Sequence, residues 1–171
     1  FRHFSEETGL VDNNIWAMLG TRSGQIWIGT GTGVDVWDGR GFRHYGPAQG
    51  LSSHKVRYLL EDRRGWIWIG TERGGVSVWD GSGFTVFSQA EGLSGESVFG
   101  LLEDREGHIW IATEYGLNVW DGAGFTHYTA AEGLSDSHIR RLIQDKQGAI
   151  WVATANGLNR LSREVQDSLW R

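Results

Sequence analysis

The sequence predicts an all-β protein built from four copies of one antiparallel four-stranded unit, and three observations predict it. The first is periodicity. The pair Ile-Trp occurs at Ile26-Trp27, Ile67-Trp68, Ile109-Trp110 and Ile150-Trp151, at spacings of 41, 42 and 41. Gly-Leu recurs in step at Gly9-Leu10, Gly50-Leu51, Gly92-Leu93 and Gly133-Leu134. The second is composition: 26 glycines and ten tryptophans accompany a single proline, Pro47. That mixture signals many tight turns between aromatic, strand-favouring segments. The third is the tripeptide Trp-Asp-Gly at Trp37, Trp79 and Trp120, each followed after one residue by Gly-Phe.

The elements of one unit follow in order. "VRYLLED" (Val56–Asp62) is the first strand and "WIWIGT" (Trp66–Thr71) the second. "GVSVWD" (Gly75–Asp80) is the third and "FTVF" (Phe84–Phe87) the fourth. β-Branched and aromatic residues suit all four, and turn residues separate them. "DRRG", "DREG" and "DKQG" join first strand to second: Asp accepts turn N–H groups and Gly takes a positive φ. "DGRG", "DGSG" and "DGAG" join third to fourth, Asp-Gly being a strong hairpin signal. The second strand is apolar on both faces (Ile26, Trp27, Ile28) and must be covered on both sides. A meander of about 42 residues covered on both faces by copies of itself is a propeller blade. The glycine run "GTGTG" is then a strand-to-strand hairpin. A phosphate-binding loop would lead into a helix instead.

The bulk numbers narrow the function classes. A net charge of −5 argues against a non-specific nucleic-acid partner. No apolar run reaches the length of a membrane span, so no membrane insertion is expected of this chain. The absence of cysteine excludes disulfides and thiolate metal sites. The chain begins at Phe1 rather than Met, as expected of a processed chain or an excised piece.

"GLSSHKVRYLLEDRRGWIWIGTERGGVSVWDGSGFTVF" resembles the two-component-regulator propeller repeat, over about residues 1–162 and in four phased copies. The family pattern is V-x-x-x-x-E-D-x-x-G-x-I-W-I-G-T, then G-L, a D-G turn and an F-x-x-Y strand. The resemblance implies the extracytoplasmic (periplasmic) sensor part of hybrid histidine kinases, often in bacteria that sense polysaccharides. Such sensors usually carry more than four repeats. More distant relatives of the repeat are WD-repeat and streptogramin-lyase-like propellers.

The units run over about 10–45, 51–87, 93–128 and 134–162 plus 1–4, with a tail at 163–171. "FRHF" (Phe1–Phe4) matches "FRHY" (Phe42–Tyr45), so the chain opens on a fourth strand, while the last unit lacks one. The N-terminal strand is expected to complete the last blade. Closure within the chain gives a four-bladed ring; closure on a second copy gives an eight-bladed homodimer; a fragment of a longer propeller is the third possibility. The dimer is the expectation. Trp66 and Trp170 fall outside the repeat pattern and are expected to be partly exposed, with Trp170 as an anchor for the tail, a short helix or disordered.

The turns at one end of the blades barely change between copies, whereas the blade-to-blade connections and the second-to-third-strand hairpins vary. Variable loops around a channel are where a site can be placed. The candidates there are His54, Glu72, Arg73, Glu114, Tyr115 and His138, with Trp16, Arg57, Phe99 and Arg140 just inside at the start of the innermost strands. Aromatic, arginine and carboxylate groups together suit a saccharide or a small acidic ligand. No metal, cofactor or catalytic set is expected. His3, His44 and His127 share one outer-strand position and diverge. Asp62, Asp104 and Asp145 supply one carboxylate per turn, too few oxygens for calcium. The function expected is a non-enzymatic binding or self-assembling module. The alternatives are a lyase- or hydrolase-type propeller using His54, His138, Glu72 and Glu114, and a purely structural product of repeat amplification.

Overall fold

A computed structural model describes residues 1–162, so Trp170 and the tail lie outside the described residues. The first blade contains β1 (Ile15–Gly20), β2 (Ile26–Thr30), β3 (Val34–Trp37) and β4 (Phe42–Tyr45). The second contains β5 (Val56–Glu61), β6 (Ile67–Thr71), β7 (Val76–Trp79) and β8 (Phe84–Phe87). The third contains β9 (Val98–Glu103), β10 (Ile109–Thr113), β11 (Gly116–Trp120) and β12 (Phe125–Tyr128). The fourth contains β13 (Ile139–Gln144), β14 (Ile150–Thr154) and β15 (Gly157–Leu161). Strands pair antiparallel in chain order within every blade.

The first strand stops one residue early because Asp62 leaves the ladder to organise the turn. Its Oδ1 accepts from the N–H groups of Arg64 (2.9 Å) and Trp66 (3.0 Å), and its Oδ2 from the Trp68 indole Nε1 (3.1 Å). Asp104 does the same for Glu106, His108 and Trp110, and Asp145 for Gln147, Ala149 and Trp151. A tryptophan buried in the second strand needs a partner for its indole N–H, and the turn aspartate supplies it. These carboxylates are structural. The first blade has Thr21 at this position, and Trp27 Nε1 reaches Gln25 Oε1 instead, at 3.4 Å.

Each blade has two different faces. The Trp face of one blade (Trp27, Val34, Val36) packs on the Ile face of the next (Val56, Ile67, Ile69). The joint repeats between Trp68, Val76, Val78 and Val98, Ile109, Ile111, and again between Trp110, Leu117, Val119 and Ile139, Ile150, Val152. Tyr45 serves both sides of its joint. It stacks on Trp27 of its own blade (6.0 Å, 11°) and packs against Trp79 (5.0 Å) and edge-on to Phe84 (5.5 Å, 78°) of the next. Phe87 repeats this with Trp68, Trp120 and Phe125. Glycine in "WIGT" allows the close approach: a Cβ on Gly70 would lie 2.6 Å from Val98 Cγ1. At the turn end Arg22 reaches Glu61, and Arg63 reaches Glu103, across successive joints.

The blade-to-blade connection holds a feature the sequence reading lacked, a single 3-10 turn at Glu6–Thr8, Pro47–Gln49, Gln89–Glu91 and Ala130–Glu132. The recurring Gly-Leu closes it. Gly50, at φ 103, takes the left-handed conformation and Leu51 enters the core.

The ends of the arc are open. Among the described residues no apolar cluster joins the fourth blade to the first. Met18 on the free Ile face of the first blade is 71% exposed, and Leu158 on the free Trp face of the fourth is 62% exposed. Among the described residues Phe1–Phe4 does not complete the last blade, and the fourth sheet has three strands. Instead Phe4 lies on the first blade, against Trp37 and Phe42. Among the described residues Phe1–Phe4 pairs with no strand, so the closure of a four-bladed ring within one chain, one of the three possibilities, is not seen.

Two predictions follow from the turns. Asp104→Ala leaves the buried Trp110 indole N–H unpaired, at about 1–3 kcal/mol for such a group, so its urea midpoint should fall clearly below that of Asp121→Ala in an exposed turn. Asp38, Asp80 and Asp121 are each held below the usual carboxylate range, chiefly by turn N–H groups of Gly41, Ser82 and Ala123 respectively. A pKa lowered on folding means that the unfolded chain binds more protons, so stability is present above about pH 4 and is lost as pH falls below it. Urea midpoints measured from pH 7 to pH 3 should decline; a flat profile contradicts this.

Candidate functional site

The innermost strands β1, β5, β9 and β13 each break register with their neighbour at one place. The ladder skips from Ile15 to Ala17, from Val56 to Tyr58, from Val98 to Gly100 and from Ile139 to Arg141. The skipped residues are Trp16, Arg57, Phe99 and Arg140. A bulge leaves one residue unpaired and re-aims its side chain, which frees this position from the packing demands on its neighbours. Each bulge is preceded by a residue of the joint, such as Val56 or Val98, both buried. The sequence reading placed the four residues near the channel but not on a bulge. Their unlike chemistry, beside apolar positions that scarcely vary, is the signal that marks them.

Arg57 sits at the centre of the best-formed group. Its guanidinium carbon lies 3.9 Å from the Trp16 ring centroid, and its Nη2 donates to Glu72 Oε2 at 2.5 Å. The Lys55 ammonium is 3.6 Å from the other Glu72 oxygen. The Arg57 hydrogen bond, with help from Lys55, holds the Glu72 carboxyl below its ordinary value. Arg57, Glu72, Arg73 and Phe99 line one cleft of ≈ 410 Å³, with Tyr58, Ser97 and Val98. Arg73 has φ 66, the left-handed region, and is the one described residue other than glycine with a positive φ. The longer hairpin at Glu72–Gly74, expected from the 42-residue spacing, thus carries strain into the cleft wall.

The remaining candidates do not line this cleft, although Glu114 borders it through Ser97. Glu114 accepts from the N–H groups of Glu96 (3.3 Å) and Ser97 (2.8 Å), which ties its hairpin to the blade connection. His138 is exposed, and its Nδ1 is 3.2 Å from Asp136 Oδ1. The backbone N–H of His138 holds the Asp136 carboxyl below the usual range. Tyr115 is 59% exposed, and His54 and Arg140 are exposed. Trp66, as expected, is half-buried, beneath the Arg64 guanidinium. No group of three or more His, Asp or Glu residues with metal-binding geometry occurs among the described residues. None of their helices is long and apolar enough to cross a membrane.

Four blades of this topology, joined Trp face to Ile face, define a β-propeller. Residues 9–32, 50–73, 92–115 and 133–156 match the two-component regulator propeller model, and the chain belongs to that family. A comparison with curated proteins gives no match. Among solved structures, the extracellular domain of a hybrid two-component system from B. thetaiotaomicron matches with a TM-score of 0.86 at 21% identity, over 100% of this chain and 25% of that one. The extracellular domain of a one-component system from the same organism matches at 0.75 and 26% identity, over 91% and 24%. A catalytically inactive virginiamycin B lyase from Staphylococcus aureus matches at 0.73 and 14% identity, over 91% and 55%. The chain thus spans about a quarter of each of these two extracellular domains.

Arg73→Gly relieves the left-handed strain at no cost to a buried contact. It should raise stability by up to about 1 kcal/mol in urea titration, and a lowered midpoint would contradict the strain argument.

Proposed function

We propose that the chain is a non-enzymatic, extracytoplasmic sensor-type propeller that binds a small acidic saccharide over the channel end of its blades. The observation that carries the reading is the bulge row, in which aromatic and arginine residues alternate (Trp16, Arg57, Phe99, Arg140) beside a ready cleft. Aromatic faces suit the apolar faces of sugar rings, and a guanidinium suits a carboxylate bidentately. Glu72 stands in for that ligand carboxylate, holding Arg57 against Trp16. A ligand carboxylate would displace Glu72, and the freed hairpin at Glu72–Gly74 would move with it.

The family membership and the likeness to extracellular domains of one- and two-component systems support the location and the sensor role. The lyase reading finds less support: His138 is engaged by Asp136 of its own loop, and Glu114 by the N–H groups of Glu96 and Ser97. A purely structural role leaves the bulge row without a purpose.

Calorimetric titration with a short oligogalacturonate, against a neutral oligomer of equal length, tests the proposal. Binding should favour the acidic oligomer, weaken with salt, and drop at least about tenfold in Arg57→Ala, the loss expected when one charged hydrogen-bonding partner of roughly 1.5–3 kcal/mol is removed. Equal affinity for both oligomers, no binding to either, or an unaffected Arg57→Ala would overturn it.

A further inference from the structure

The two free faces of the arc carry matching half-sets of contacts. In each complete joint one fourth-strand aromatic does two jobs, as Tyr45 does in stacking on Trp27 behind it and packing on Trp79 and Phe84 ahead. Phe4 performs the second job alone. It lies 5.1 Å from Trp37 and 5.4 Å from Phe42 at 84°, close to the Tyr45 and Phe87 geometries. No tryptophan stacks behind it among the described residues. Conversely Trp151, the equivalent of Trp27, has no ring stacked on it among the described residues; the Arg160 guanidinium occupies that face at 5.7 Å.

A second half-set is polar. In the first blade His44 Nδ1 meets Asp35 Oδ1 across the third and fourth strands, at 3.2 Å. In the third blade His127 Nδ1 donates to Asn118 Oδ1, at 2.7 Å. The second blade has Val86 opposite Ser77 and neither member of the pair. Histidine and Asx thus occur together or not at all. The fourth blade has Asn159 at the Asx position with no strand opposite among the described residues, and His3 stands at the histidine position of a strand-like segment, Phe1–Phe4, with no Asx opposite it there.

A third is spatial. Along β15 runs a cleft of ≈ 420 Å³ lined by Tyr128, Leu158 and Leu161 among others. At the other joints a fourth-strand phenylalanine (Phe84 or Phe125) packs edge-on to the aromatic of the preceding blade. Tyr128 has no such neighbour among the described residues, its hydroxyl is buried without a hydrogen-bond partner, and Phe1 is fully exposed.

We propose that Phe1–Phe4 of one copy is the missing fourth strand of the fourth blade of a second copy, and that two copies close by two-fold symmetry into an eight-bladed ring. The register follows from the third blade: Phe4 opposite Leu158, His3 opposite Asn159, Arg2 opposite Arg160 and Phe1 opposite Leu161. Phe4 then stacks on the partner copy's tryptophan, and Leu158 and Met18 leave solvent. One opposed pair, Arg2 with Arg160, is repulsive. The other three blades have valine where Arg160 stands (Val36, Val78, Val119), so Arg160→Val should tighten the assembly.

The chain has no cysteine, so an engineered pair reports without background. Directly opposed residues in an antiparallel pair bring Cα atoms to about 4.5–5.5 Å, within disulfide range. The double variant His3→Cys, Asn159→Cys should oxidise to a covalent dimer, on a particle of twice 19.1 kDa by light scattering. Arg2→Cys with Asn159→Cys, one residue out of register and facing the other side, should not link. Separately, Phe4→Ala should weaken association at least about tenfold, equivalent to about 1.4 kcal/mol. An intrachain disulfide would mean a four-bladed ring and overturn the proposal. So would a single-chain mass without linking, or a ladder of trimers and higher species.

Discussion

Everything in this molecule depends on a second strand that is apolar on both faces. β6 and β10 are buried at every position, so neither can exist at the surface of a two-layer fold. Each needs a blade in front and a blade behind. The Trp face and the Ile face meet that need because they differ: the large ring of one blade enters the space above the branched side chains of the next. Burial of rings and aliphatic side chains at about 25 cal/mol per Å² makes each joint the main source of stability. The tryptophan brings an obligation as well, since its buried N–H must be paired. The turn aspartate meets it and shapes the turn at the same time.

That division of labour explains where function can reside. Positions in the joint are fixed by packing, and positions in the turns are fixed by hydrogen bonding. The bulge in the innermost strand escapes both, since its residue pairs with no neighbour in the ladder. Trp16, Arg57, Phe99 and Arg140 therefore differ while Ile15, Val56, Val98 and Ile139 stay aliphatic. The family relationship agrees with this arrangement without naming a ligand. Function in such folds is placed on the scaffold by a few side chains.

Most of the fold was legible because its rules are periodic and local. The Ile-Trp pair, the Asp turn and the Trp-Asp-Gly hairpin each mark one element, and the strands fall within a residue or two of their expected bounds. The bulge was not legible: a register break shows only in the pairing of two strands, and Arg57 reads alone as an ordinary strand residue. The 3-10 turns were missed because Ser88–Glu91 and Thr129–Glu132 look like a polar loop until the side chain of the fourth residue is seen to reach the first N–H. Phe1–Phe4 was recognised as a fourth strand by its likeness to Phe42–Tyr45, yet only three dimensions show that it lies on the first blade. Glu72 was legible as a candidate, but not as the partner that holds Arg57 in place.

The central claim is that a blade is stable to the extent that both its faces are covered. Amide hydrogen exchange read by peptide mass across a dilution series tests it most directly, because it reports each second strand separately. The account predicts the slowest exchange in Ile67–Thr71 and Ile109–Thr113 at every concentration. It predicts faster exchange in Ile26–Thr30 and Ile150–Thr154 at high dilution, slowing as concentration rises. Ile150–Thr154 as protected as Ile109–Thr113 in a solution of single chains would contradict it.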